Sequence, residues 1–243
     1  MPATRGRGKR APLTREAVLH GAVRLADAEG LEAVTMRRLA GSLGVEAMSL
    51  YHHVPGKESL LDGLVEALMA EIGAEVGKPP TSEDWRADVR DRCLSARRVM
   101  LRHPWGPALV GSRRSIPPSV YFHFEGLLAS LIRGGFSYHL AHQALHTLGS
   151  MILGFVQELF SPSATGEAPD EAADAEAEEE LAAMAAVLPH LAAMAASELH
   201  ATGDPTLGWC DSQVEFEFTL DLLLDGLDRR SRAETDVGSG PGS

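Results

Sequence analysis

Three imidazoles, His139, His142 and His146, fall at i, i+3 and i+7, one stripe of a helix. Two imidazoles one turn apart can share a zinc ion, so the spacing of the last pair suits a metal. No carboxylate or thiol stands at ligand spacing beside them, and neither a metal nor a cofactor is expected. Cys93 and Cys210 are too few for a disulfide framework and wrongly spaced for zinc, so two buried free thiols are expected. No Ser-His-Asp, Cys-His or phosphate-cradling glycine loop is visible, which argues against an enzyme.

Charge is distributed more informatively. The chain has 243 residues and a net charge of −12, but residues 1–60 hold nine Lys/Arg against six Asp/Glu, a net of +3. The remainder holds thirteen against twenty-eight, a net of −15. A phosphate-binding surface needs only local positive charge, because screening acts over about 8 to 10 Å at ordinary salt. The basic segment is therefore a candidate nucleic-acid surface, and the acidic remainder keeps the wrong face away from DNA. There is no run of eighteen apolar residues and no apolar stretch in "MPATRGRGKRAPL", so a cytoplasmic protein without membrane contact is expected.

The elements that must carry these residues read as helices. Residues 1–12 lack periodicity and are expected to be a flexible basic arm. Thr14 caps a first helix with Val18, Ala22, Leu25 and Ala26 inside, stopped by Gly30. Thr35 caps a second, with Met36, Leu39, Ala40 and Leu43 inside, broken at Gly44. A short third run from Glu46 to His53 follows, small or polar outside at Ala47, Ser49 and His52. Leu60, Leu61, Leu64, Val65, Leu68, Met69 and Ile72 then repeat as a four-turn amphipathic helix. Further helices are expected over Trp85–Leu101, Pro117–Arg133, Ser137–Phe160 and Leu181–Leu199, the last bent at Pro189, with a short helix or loop at Pro107–Arg114. Residues 162–180 contain eight acidic residues and no basic one, so a flexible acidic loop is expected at about 162–178. In the last element Val214, Phe216, Phe218 and Leu220 alternate like a strand, whereas Leu220, Leu223, Leu224 and Leu227 repeat like a helix. No strand partner is evident elsewhere, so a helix over 211–230 is preferred, with a disordered tail at 231–243. The expected fold is all-α: a small basic N-terminal unit and a larger acidic helical one, of about nine or ten helices.

Two short helices joined by a tight glycine turn form a helix-turn-helix, whose second helix must be short and small-faced to enter a groove about 12 Å wide. From Thr14 to Ile72 the sequence resembles the TetR family of bacterial transcriptional regulators, and "LAGSLGVEAMSLYHHVPGKESLLDGL" resembles the tetracycline-repressor branch. The match joins the hydrophobic spacing, the Gly44 turn, the Leu50-Tyr51-x-His53-Val54 run and Lys57. The resemblance implies that residues 13–58 are a DNA-binding domain with a linking helix at 57–76, and that 77–230 bind an effector and dimerise. It implies that Thr35 caps its helix and touches phosphate, that Arg37 reaches the groove edge, and that Tyr51, His53 and Lys57 contact phosphates, with His52 beside them. Ala47, Met48 and Ser49 occupy the base-reading turn. They depart from the polar glutamine-proline-threonine pattern of the tetracycline repressor, so a different operator is expected, with apolar contact to thymine methyls.

Beyond residue 80 the resemblance continues through "WRADVRDRCLSARRVMLRHPWGPAL", "GLLASLIRGGFS", "LGSMILGFVQELF" and "FEFTLDLLLDGL". The family's metal-chelating histidines fall on Gly73 and near Val110, so a tetracycline-magnesium effector is not expected. A pocket asparagine falls near Arg92, and Glu158 matches an acidic pocket position. The candidate effector pocket is Arg92, Trp105, Arg113, Phe122, Leu127, Met151, Phe155 and Glu158, although the apolar members would serve equally as core. A homodimer is expected from Leu145, Leu148, Ile152, Leu220, Leu223, Leu224 and Leu227, more apolar surface than one chain covers. The leading expectation is a transcriptional repressor that binds double-stranded operator DNA and is released by a small-molecule effector. A helical enzyme and a ligand-independent DNA-binding protein are the alternatives, and the −15 remainder argues against the second.

Overall fold

The computed structural model describes residues 12–77, 84–113, 116–155, 185–194 and 212–238. Every regular element among them is a helix. The chain divides into two compact units, residues 1–156 with 229–243, and residues 157–228.

In the first unit, α1 (Arg15–Glu29) starts at Thr14, whose hydroxyl accepts from the Ala17 N–H at 3.1 Å. A single 3₁₀ turn, Leu31–Ala33, leads to α2 (Met36–Leu43), capped in the same way by Thr35 accepting from Arg38 at 3.2 Å. Gly44 closes α2 in the left-handed conformation at φ 63°, ψ 39°, and the Val45 N–H returns to the Ala40 carbonyl at 3.0 Å. This is the glycine termination that turns the chain sharply into α3 (Ala47–Tyr51). Val18, Ala22, Leu39, Ala40, Leu50, Val54 and Leu60 form the core beneath these helices.

The spine of the unit is α4 (Lys57–Val76), whose Leu60, Gly63, Leu64, Val65, Leu68, Met69 and Ile72 are all buried. It packs against α1 on one side and against α5 (Trp85–Arg102), α6 (Gly106–Ser112) and α7 (Pro118–Arg133) on others. At Gly63 α1 comes so close that a Cβ would stand 2.4 Å from Leu19 Cδ2. Asp84 caps α5 and Ser137 caps α8 (Tyr138–Gly154). Helices α1–α8 fall within the same compact unit.

In the second unit, residues 185–187 and 189–194 are helical with a break at Leu188, just before the expected bend at Pro189. The C-terminal helix α9, Ser212–Gly238, begins here and ends in the first unit. The helical periodicity thus prevails over the alternation of Val214, Phe216, Phe218 and Leu220. The tail expected to be disordered from residue 231 is helical to Gly238. Its Arg232, Ala233 and Glu234 are good helix formers and continue a helix already nucleated upstream. The expected basic arm to residue 11, the expected acidic loop at 162–178, Glu158 and Cys210 lie outside the described residues.

Candidate nucleic-acid interface and effector site

The short helix α3 is held by one anchor, Leu50, which is fully buried. Fixing Leu50 inward turns the rest of the helix out: Ala47 and Ser49 are half-buried, and Met48 is 71% exposed. Tyr51 and His52 are exposed at its end, and His53 is half-buried. Thr35 is exposed, and with its oxygen engaged by the Arg38 N–H its hydroxyl hydrogen remains available to an acceptor. Arg37 is exposed and has no carboxylate partner among the described residues, whereas Arg38 is tied to Glu29. Lys57 is exposed at the start of α4. The structure therefore brings all nine expected DNA-contacting residues to the α2–α3 region and the N-terminus of α4. None of them is spent in a buried ion pair.

Behind this face the α4 spine carries a row of carboxylates, each clasped from another helix. Arg15 of α1 holds Glu66 at 2.7 Å. Arg113, just past α6, donates to Asp62 and Glu58, each at 2.9 Å. Arg98 donates to Glu75 at 3.0 Å, and Arg102 donates to Glu71 at 2.6 Å and also to Glu75. His103 closes the row: Nδ1 lies 2.7 Å from Asp27 of α1 and Nε2 2.9 Å from Glu71, while the Trp105 indole N–H donates to the same Asp27 oxygen at 2.7 Å. Burial alone would raise the Glu71 carboxyl, but the Arg102 and His103 hydrogen bonds bring it below the usual carboxylate range. Hydrogen bonding by Arg102 does the same to Glu75. Asp27, Glu71 and His103 were not singled out in the sequence; the only signal was the acidic spacing at 58, 62, 66 and 75.

Among the expected pocket residues, Trp105 and Arg113 make polar links between α1, α4 and the α5–α6 region. Phe122 is 79% exposed. Arg92, Leu127 and Met151 are buried on α5, α7 and α8, and Phe155 is half-buried with its carbonyl accepting from Arg97 at 3.2 Å. Glu158 lies outside the described residues. His139, His142 and His146 are exposed, with the last two rings 3.1 Å apart through their Nε2 atoms, and no group of three candidate metal ligands occurs among the described residues. Burial pushes the Cys93 thiol up to about 12, which leaves it unreactive.

Residues 18–64 match the family model described as bacterial regulatory proteins, tetR family, and residues 78–231 match that of the tetracyclin repressor-like C-terminal domain. The chain belongs to the tetR family. It is similar to the tetracycline repressor protein class C of Escherichia coli, 29% identical over 225 residues, 93% of this chain and 95% of that one. It is also similar to an HTH-type transcriptional regulator of Saccharopolyspora erythraea, 36% identical over 124 residues. The chain spans about half the length of that relative, 51%, and the match covers 51% of the chain. Among solved structures, Streptomyces coelicolor ActR in complex with actinorhodin superposes with a TM-score of 0.68 at 27% identity, covering 91% of this chain and 99% of that one. In this tetR-family chain Gly73 is exposed and Val110 is half-buried. Neither offers a metal ligand. No helix among the described residues is long and apolar enough to cross a membrane.

Proposed function

We propose that this protein is a transcriptional repressor that binds double-stranded operator DNA as a homodimer and leaves it when a small organic effector enters the α5–α8 body. The observation that carries the reading is α3: one buried anchor, Leu50, and an outward face of Ala47, Met48 and Ser49. A helix so short and small-faced fits the major groove, where Met48 and Ala47 meet thymine methyls while Arg37 reaches the groove edge and Thr35, Tyr51, His53 and Lys57, with His52 beside them, hold phosphates. The similar regulators named above, and an ActR structure holding actinorhodin, support the same reading.

Release follows from population shift. A dimeric regulator reads two half-sites about 34 to 36 Å apart, and an effector that favours a different spacing lowers operator affinity. The clasped spine α4 is the element through which a change in the body would reach α1 and α3. The test is a footprint on the DNA flanking the protein's own gene, repeated with candidate effectors. Protection of an inverted repeat that disappears with an effector is the expected result. Absence of protection at any concentration that occupies specific sites would overturn the proposal.

A further inference from the structure

We infer that the body contains an anion subsite built on Arg92, and that the effector it serves carries a carboxylate. The inference rests on the reading of α5–α8 as effector-binding and adds the ligand's chemical class.

Arg92 is 9% exposed. Its Nε donates to Asp88 at 3.2 Å, and among the described residues nothing accepts from Nη1 or Nη2. Asp88, 3% exposed, has little left to give. Its other oxygen already accepts from the Ser130 hydroxyl and from Arg133 at 3.1 Å. Asp88 thus serves the buried Arg92 and also Arg133, whose side chain is 44% exposed and keeps its charge in solvent. A lysine in this position could shed its proton, but an arginine cannot. The Arg92 charge therefore stays, and since it holds only one 3.2 Å hydrogen bond to a shared carboxylate, an anion that completes its pairing is favoured.

The vacant end of Arg92 is also shaped for such a partner. Its two terminal nitrogens form the planar fork that pairs with a carboxylate through two parallel hydrogen bonds. Gly126 of α7 lets the guanidinium lie against that helix, since a Cβ there would stand 2.6 Å from Nη1 and 3.2 Å from Cζ. His123, Gly126, Leu127 and Ser130 fall at i, i+3, i+4 and i+7, one stripe of α7. Burial, with the Arg92 charge added, pushes the His123 imidazole below its usual range. A neutral ring offers one donor and one acceptor to a bound molecule without adding a second cation.

The experiment titrates the full-length protein calorimetrically with benzoate and with benzamide, the same ring without the charge. Saturable benzoate binding at least tenfold tighter than benzamide is expected. Arg92→Gln should abolish that preference. Arg92→Lys keeps the charge beside Asp88 but removes the fork, and should weaken benzoate at least tenfold while circular dichroism shows an intact fold. No saturable benzoate binding, equal affinity for benzamide, or unchanged benzoate affinity in Arg92→Lys would each overturn the inference. Operator retention is measured in parallel to separate the two readings. Benzoate bound at Arg92 without operator release would leave the subsite standing and remove its effector role. Release by neutral compounds, with no benzoate bound, would remove the subsite and leave effector release standing.

Discussion

A side chain's type says what it can bind, but its partner decides whether it is free to do so. Tyr51 and Trp105 show the difference. Tyr51 is 43% exposed at the end of a helix anchored by Leu50, so its phenol is free for a phosphate. Tyr51→Ala should weaken binding to specific and nonspecific duplexes by a similar factor, about five- to thirtyfold for about 1–2 kcal/mol; gel-shift titration at fixed salt checks it. Trp105 is expected as pocket lining or core, and its indole donates to Asp27, 78 residues away, a separation that local sequence reading does not reach. The same holds for Glu71, whose folded-state carboxyl lies below the usual range. A lowered carboxyl contributes stability that is complete above the unfolded-state value and is lost as the pH falls through the folded one. Glu71→Gln should therefore unfold at a temperature that falls less than the parent's between about pH 6 and about pH 3, measured by scanning calorimetry. Equal slopes would mean that the Arg102 and His103 contacts add nothing beyond solvent screening.

Elements were legible where their signals are local. Thr14, Thr35, Asp84 and Ser137 announce helix starts because a short oxygen-bearing side chain satisfies an N–H three residues on. The end of α9 carries no such stop: Ser231 to Glu234 look like a polar tail and behave as helix, since extending a formed helix costs far less than starting one. The lateral clasps on α4 were illegible, for nothing in its own sequence says that Arg98, Arg102 and Arg113 come to meet its carboxylates. Gly44 is the point where a single residue sets an element's direction. At φ 63° and ψ 39° it occupies the left-handed region, which a Cβ disfavours. Gly44→Ala should lose about 1 kcal/mol, and so lower the melting temperature by about 2–4 °C. Operator affinity should fall further than stability alone explains, because the error in the turn re-aims α3. A variant with parental melting temperature and affinity would show that the turn tolerates the side chain.

At the scale of the whole molecule, the charge split was legible, but which apolar residues stay outside was not. The leucines expected at a dimer face are largely used within one chain: Leu148, Ile152, Leu220, Leu224 and Leu227 are all buried. Sequence pattern cannot say which of two apolar stripes faces inward when both repeat with helical spacing. On α9 the stripe left outside is Val214, Phe218 and Leu222, at i, i+4 and i+8, which are 62%, 60% and 54% exposed. A continuous apolar stripe in water is costly and marks a contact surface, and a second copy of the chain is the partner that an inverted-repeat operator requires. Phe218→Asp places a carboxylate in the middle of that stripe, where pairing two copies would desolvate it without a partner. The parent should sediment as a dimer at micromolar concentration and the variant as a monomer with an unchanged circular dichroism spectrum. Operator affinity should drop at least tenfold, since a monomer gains only one half-site, while affinity for an isolated half-site stays level. A Phe218→Asp protein that remains a dimer with full operator affinity would remove this stripe from the interface, and assembly would then have to use the exposed face of α8, where Tyr138, His139, His142 and His146 stand in solvent.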